Sequence, residues 1–131
     1  MANALDTNCV VYWLVGEDIH RVNIVDGFLN NSRTKVHIAD LVVAETVWVL
    51  KKVYGFDDAL IMGFVRKLVE HENINCNKAL FTKVVEEYKH TPKVSFVDLC
   101  LVQYARLSEQ KLLTFDQTLA KRFPKHTELV V

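Results

Sequence analysis

Four acidic residues stand where the sequence is otherwise apolar. Asp6 sits in "ALDTN", at the end of a short apolar lead, with Asn8 two residues on. Glu45 interrupts the run "LVVAETVWVL", and Asp98 interrupts "VSFVDLCLV". Asp116 follows "KLLTF", two residues after Thr114. An ionised carboxylate in a dry core costs several kcal/mol unless it is paired, and no basic residue lies near Glu45 until Lys51. Taken singly, each acid has a plain structural explanation. Asp6, Thr7 and Asn8 can cap a helix; Glu45 and Asp98 can emerge at a helix edge or pair with a distant cation. Taken together, the four suggest one shared site. Carboxylates held close raise one another's proton affinity, and a bound divalent cation relieves that conflict. Oxygen-only donors select hard ions, so Mg²⁺ or Mn²⁺ is expected rather than Zn²⁺. Such an ion leaves coordination free for phosphate oxygens and makes hydroxide available near neutral pH. The expected reaction is metal-assisted phosphodiester hydrolysis, with one or two ions.

The elements that must place these acids can be read from the hydrophobic pattern. Residues 1–5, "KVHIA", "INCN", "KLLTF" and "TELVV" read as short strands. Helical stretches lie between them. "NCVVYWLVG" has Thr7 or Asn8 as its cap and Gly16 as its stop, and "DIHRVNIVDGFLNN" begins at Asp18. "LVVAETVWVLKKVYG" ends at Gly55, and "DDALIMGFVRKLVEHE" carries acids in its first turn. "KALFTKVVEEYKH", "VSFVDLCLVQYARLSEQ" with Ser95 as cap, and the short "DQTLAKRF" complete the set. Residues 32–34 read as a turn and Pro92 as a break. Strands alternating with helices predict an α/β fold with a parallel sheet covered on both faces. In such sheets ligands bind beyond the carboxyl ends of the strands. Asp6 and Asp116 both fall there, and share one rim if their strands are neighbours.

The length of 131 residues favours one domain, and 50% hydrophobic residues can fill a substantial core. Four glycines and two prolines are few for a sandwich, a barrel or a disordered chain. Sixteen basic residues balance sixteen acidic ones, so attraction to nucleic acid or membrane must be local. Cys9, Cys76 and Cys100 lie far apart, which argues against a disulfide framework or a zinc site and fits reduced thiols. His20, His37, His71, His90 and His126 show no ligand spacing. The first residues have no secretory pattern and no run reaches the ~18 apolar residues of a spanning helix. A cytoplasmic protein without a membrane segment is expected.

The same four blocks carry a resemblance. "ALDTN", "AETVWVLKKVYG", "VSFVDLCLVQYA" and "LLTFDQTLAK" resemble, in order and over essentially the whole chain, the four motif regions of PIN-domain ribonucleases. They are most similar to the VapC toxins of bacterial toxin–antitoxin pairs. The resemblance implies a single PIN domain over residues 1–131, three-layered α/β/α, with a five-stranded parallel sheet of order 3-2-1-4-5. It implies Mg²⁺- or Mn²⁺-dependent endoribonuclease activity, with Asp6, Glu45, Asp98 and Asp116 as the acidic metal-binding quartet. Asn8 and Thr114 match supporting positions that orient carboxylates or bound water. Asp40 stands where many relatives have proline or another turn residue, and a helix cap is its expected role. The toxin resemblance also implies a cognate antitoxin, a disordered segment of which lies across the groove of the first helices, and a homodimer.

An RNA substrate needs cationic anchors. Lys51 and Lys52 are favoured because they follow Glu45 on one helix; Arg33 with Lys35, Arg66 with Lys67, and Lys121 with Arg122 fit a solvated face equally well. Tyr12 and Trp13 can stack a base but suit packing better, and Trp48 reads as core. The apolar faces of "CVVYWLV" and "IMGFVRKLV" suit an antitoxin contact, a dimer contact or the core. Rival functions are distinguishable. A PIN nuclease of RNA processing would lack an antitoxin. A phosphohydrolase with Asp6 as nucleophile usually needs an acid at the position of Asn8. A phospho-accepting receiver distributes its acids differently, and a non-catalytic PIN-like binding module should have lost one of the four.

Overall fold

The computed structural model describes every residue except Met1, Ser32 and Pro92. The turn assigned to residues 32–34, the break at Pro92 and the start of the first strand therefore lie partly outside the described residues. The chain divides into two compact units, Met1–Lys78 and Ala79–Val131.

The first unit runs β1 (Asn3–Ala4), α1 (Thr7–Val15), α2 (Ile19–Leu29), β2 (Val36–His37), α3 (Asp40–Lys52), α4 (Asp58–Glu70) and β3 (Ile74–Asn75). Its strands form a parallel sheet in the order β1-β2-β3, with Asn3 opposite Val36 and Val36 opposite Ile74. The ladder runs one step past β1, because the Leu5 amide donates to the His37 carbonyl at 3.0 Å. Parallel neighbours need a long crossover, and here each crossover is a helix pair. Helix α1 packs on α2 and α3, and α3 packs on α4. Val10, Leu29, Val36, Ile38, Val43, Leu50, Ile61, Leu68 and Ile74 are buried at its core. The apolar residues of "CVVYWLV" and "IMGFVRKLV" supply much of this unit's packing: Val10, Val11, Trp13 and Leu14 are buried from α1, and Ile61, Met62, Val65 and Leu68 from α4.

The punctuation follows local chemistry. Gly16 ends α1 at φ +76°, where its amide donates to the Tyr12 carbonyl. Gly55 follows α3 at φ +67°. Both are left-handed conformations that suit glycine. Asp18 and Asp57 cap α2 and α4 by accepting the amides of Arg21 and Leu60. Asp40 is not the cap expected of it. Ala39 takes the cap position without a side-chain bond, and Asp40 is the first helical residue, accepting a hydrogen bond from Asn77 Nδ2 at 3.0 Å.

The second unit holds α5 (Lys78–His90) from its second residue onward, α6 (Phe96–Leu107), β4 (Leu112–Thr114), α7 (Gln117–Arg122) and β5 (Thr127–Leu129). Strands β4 and β5 pair in parallel, Leu112 opposite Thr127. Phe81 and Phe96 stack at 6.1 Å, and Leu80, Val84, Leu99, Val102, Leu119 and Phe123 are buried in the same unit. Ser95 caps α6 as expected, its Oγ accepting the Asp98 amide at 3.1 Å. The fold is α/β with parallel strands in each unit and seven helices among the described residues. The described strands pair as β1-β2-β3 in one unit and β4-β5 in the other, where a single five-stranded sheet of order 3-2-1-4-5 is expected. No helix is long and apolar enough to cross a membrane among the described residues.

Candidate metal centre

Asp6 follows the last ladder bond of β1 and is itself the N-cap of α1. Its backbone is extended (φ −86°, ψ 174°), and Oδ1 accepts the Cys9 amide at 3.0 Å. The cap role offered to Thr7 or Asn8 therefore belongs to Asp6. The hydrogen bond from the Cys9 backbone favours the ionised form and holds this carboxyl below its ordinary range, with the Cys9 thiol adding to the effect. The thiol itself is pushed up, first by burial and then by the neighbouring carboxylate. Asn8 lies exposed in the first turn of α1.

Glu45 lies on α3, which packs against the helix that Asp6 caps. It is exposed, so of the two positions open to it in the sequence, the dry core and the helix edge, the structure places it at the edge. Helix geometry explains why. Val43, Val47 and Leu50 turn to the core; Glu45 stands about 200° around the axis from Val43 at 100° per residue. The adjacent Thr46 takes the inward position and is buried, its Oγ1 without a hydrogen-bond partner among the described residues. Trp48 shares the outward face and is 58% exposed, contrary to the core position expected for it.

The second unit repeats the pairing of a strand-end acid with a helical acid. Asp116 follows β4 and caps α7, its Oδ1 accepting the Leu119 amide at 3.0 Å. Thr114 Oγ1 accepts the Asp116 amide at 3.0 Å. Thr114 thus holds the backbone amide of the residue that carries the carboxylate. Asp98 lies half-buried in the first turn of α6, which packs against β4.

Each unit thus contributes one acid at a strand end and one on a helix packed nearby. Asp6 and Asp116 use one oxygen in capping, but a carboxylate has about four lone-pair sites, so capping leaves donor capacity. All four side chains offer oxygen, which fits a hard divalent ion. Among the described residues, no three His, Cys, Asp or Glu side chains are grouped to hold a metal.

The cationic candidates differ from one another. Lys51 Nζ lies 3.1 Å from Asp58 Oδ1, a link between α3 and α4 that gives Lys51 a structural role. Lys52 is exposed at the last turn of α3. Tyr12 carries Arg21 over its ring at 4.4 Å, and Trp13 is 7% exposed with Nε1 donating to Asp26 Oδ1 at 2.6 Å, so both serve packing.

A comparison with curated proteins found no match. A comparison with protein families did: the PIN domain matches residues 4–123, a stretch that contains all four acids. PIN domains share a nuclease-type fold and are in general nucleases that use divalent metal ions, and this chain, matched over most of its length, belongs to the PIN domain family.

Proposed function

We propose that the chain is a single PIN domain acting as a Mg²⁺- or Mn²⁺-dependent endoribonuclease of the cytoplasm, and that it is the VapC-type toxin of a type II toxin–antitoxin pair which slows translation and growth. The observation that carries the reading is the family match over residues 4–123, which takes in Asp6, Glu45, Asp98 and Asp116 together. The two strand-end acids support it, each held by a helix cap with oxygen capacity to spare.

In this reading Asp6, Asp98 and Asp116 hold the ion and Glu45 completes the acidic set. The ion supplies charge neutralisation at the scissile phosphate and a nucleophile at neutral pH. The chain's own residues do the positioning. The ladder bond at Leu5 and the cap at Cys9 fix Asp6. The Thr114 hydroxyl and the Leu119 amide fix Asp116. Asn8 orients the Asp6 side of the site. Lys52, and Lys51 when released from Asp58, attract the RNA backbone. A cognate antitoxin covers this acidic site with a basic segment, and two copies of the chain form a dimer.

Purified wild type and Asp98→Asn, both checked for folding, are incubated with structured RNA and Mg²⁺ or Mn²⁺. Wild type should cut, chelator should stop it, and the variant should be inactive. Equal cutting by both, or cutting indifferent to chelator, overturns the mechanism. Expression without a partner should arrest growth and co-expression of the antitoxin should restore it; harmless expression of an active enzyme assigns it instead to RNA processing.

A further inference from the structure

We infer that the cleft along the second half of α4 binds a phosphomonoester, the terminal phosphate of a nucleotide or of an oligonucleotide. Gly63, Arg66, Lys67, Glu70 and His71 line this cleft of about 340 Å³. Their spacing sets them on one face of the helix. The inference goes beyond the nuclease reading and does not depend on it. The cleft also lies apart from Asp6. Helix α4 leads into the start of β3, whereas Asp6 follows the end of β1, and the strands of this sheet run parallel. Trp13, against which Lys67 and His71 rest, comes seven residues along the chain from Asp6, a helical rise of about 10 Å.

Arg66 and Lys67 are exposed cations with no carboxylate partner among the described residues. Glu70 stands four and three residues on, the spacing at which a helix commonly joins opposite charges, yet no ion pair forms. Arg21, Lys51 and Lys83 do pair, with Asp18, Asp58 and Glu86. Lys67 is held instead over Trp13, its Nζ 4.4 Å from the ring centre. A cation already held in place has less freedom to lose on meeting an anion. His71 brings a third donor. Its Nδ1 accepts the Asn73 amide at 3.1 Å, so the neutral ring carries its proton on Nε2. Three donors, two of them charged, match the three oxygens of a terminal phosphate; an internal phosphodiester offers two such oxygens and a single charge. Glu70 and the carbonyl end of α4 oppose an anion, so both cations are needed to outweigh them. Glu70 in turn suits the hydroxyl groups of an attached sugar. Glycine within a helix is unfavourable, and a Cβ at Gly63 would meet nothing within 4 Å. No neighbour requires glycine there, and its missing side chain leaves the cleft open.

The test uses the full chain with chelator present, so that no metal bridges phosphate to the acids. Adenosine 5′-monophosphate and adenosine are titrated by calorimetry, beside one unstructured oligonucleotide carrying either a 5′-phosphate or a 5′-hydroxyl. The monophosphate should bind and adenosine should not. Arg66→Gln and Lys67→Met should each weaken binding about 10- to 150-fold, the range of one lost charged hydrogen bond, and Lys67→Arg should keep most of it. Gly63→Leu should block the cleft with every charge retained, and Asp98→Asn should bind like wild type. Tighter binding of the phosphorylated oligonucleotide than of the monophosphate assigns the cleft to strand ends; binding no tighter than the monophosphate's assigns it to free nucleotides. Equal binding of the two oligonucleotides overturns the recognition of a terminal phosphate. Absence of monophosphate binding by wild type overturns the proposal, and so does binding lost in Asp98→Asn, which moves the phosphate to the acids. Arg66→Gln and Lys67→Met that melt at lower temperature but bind as before reduce the two cations to partners of the helix C-terminus and overturn it as well.

Discussion

Asp116 offers the sharpest separation of architecture from chemistry, because one side chain serves both. As the cap of α7 it accepts the Leu119 amide at 3.0 Å; as a strand-end acid it is a proposed metal ligand. Asparagine caps helices about as well as aspartate, whereas alanine at a cap costs about 0.5–2 kcal/mol. Asp116→Asn should therefore keep the bond to Leu119 and lose only the favourable charge at the helix N-terminus, about 0.3–1 kcal/mol at an exposed site. Asp116→Ala should lose both, about 1–3 kcal/mol together. For a chain of this size that is a fall in melting temperature of a few degrees, about 2–5 °C per kcal/mol. Cleavage should not follow the same ranking. Both variants should lose more than about 100-fold in activity, since even outer-sphere partners of a metal cost 10–100-fold when removed. Calorimetry and a metal-dependent RNA cleavage assay on the same preparations check the two halves. Asp116→Asn that cuts at the wild-type rate refutes the ligand assignment. Asp116→Asn that melts as low as Asp116→Ala refutes the cap argument.

Two further outcomes follow from the same geometry. Thr114→Val removes the acceptor of the Asp116 amide and should cost about 0.5–1.5 kcal/mol in urea unfolding, with a partial loss of cleavage that Thr114→Ser restores; unchanged activity would show that Asp116 needs no such support. The capped Asp6 carboxyl has its pKa lowered by the Cys9 amide, so its stabilisation is complete above the unfolded-state value near pH ~4 and disappears as pH falls through the lower folded value. The stability difference between wild type and Asp6→Asn should accordingly be largest at neutral pH and shrink below about pH 4; a difference that grows on acidification reverses the sign and contradicts the argument.

The order of elements was legible because helix stops and strand lengths were written locally. Gly16 ends α1 in the left-handed conformation that suits glycine, whereas α3 stops at Lys52 with Val53 as its cap, and Gly55, expected as the stop, comes three residues later. The cap of α1 was harder, since Asp6, Thr7 and Asn8 are three consecutive residues that can all cap. Only the backbone, extended at Asp6 and helical from Thr7, decides among them. For Trp48, expected in the core, and Glu45, open to the core or a helix edge, the difficulty is different. An apolar run suggests burial when followed along the chain, whereas a helix buries by angle. Counted at 100° per residue from Val43 and Val47, both residues fall on the outer face, and the structure exposes both. Lys51 could not have been separated from Lys52 by sequence, because its partner Asp58 lies on the next helix.

Asp6 leaves the chain no slack. Leu5, immediately before it, is tied to His37, and Val10, four residues later, donates to the Asp6 carbonyl at 3.2 Å. One residue separates sheet from helix, and that residue carries the acid. A single insertion between Ala4 and Asp6 would advance the chain by about 3.3 Å and invert side-chain alternation, so it could not be absorbed without swinging the carboxylate away or unzipping the ladder. Fusion partners joined ahead of Asn3 escape this constraint, which makes the upstream side the natural place to attach a reporter or an affinity handle.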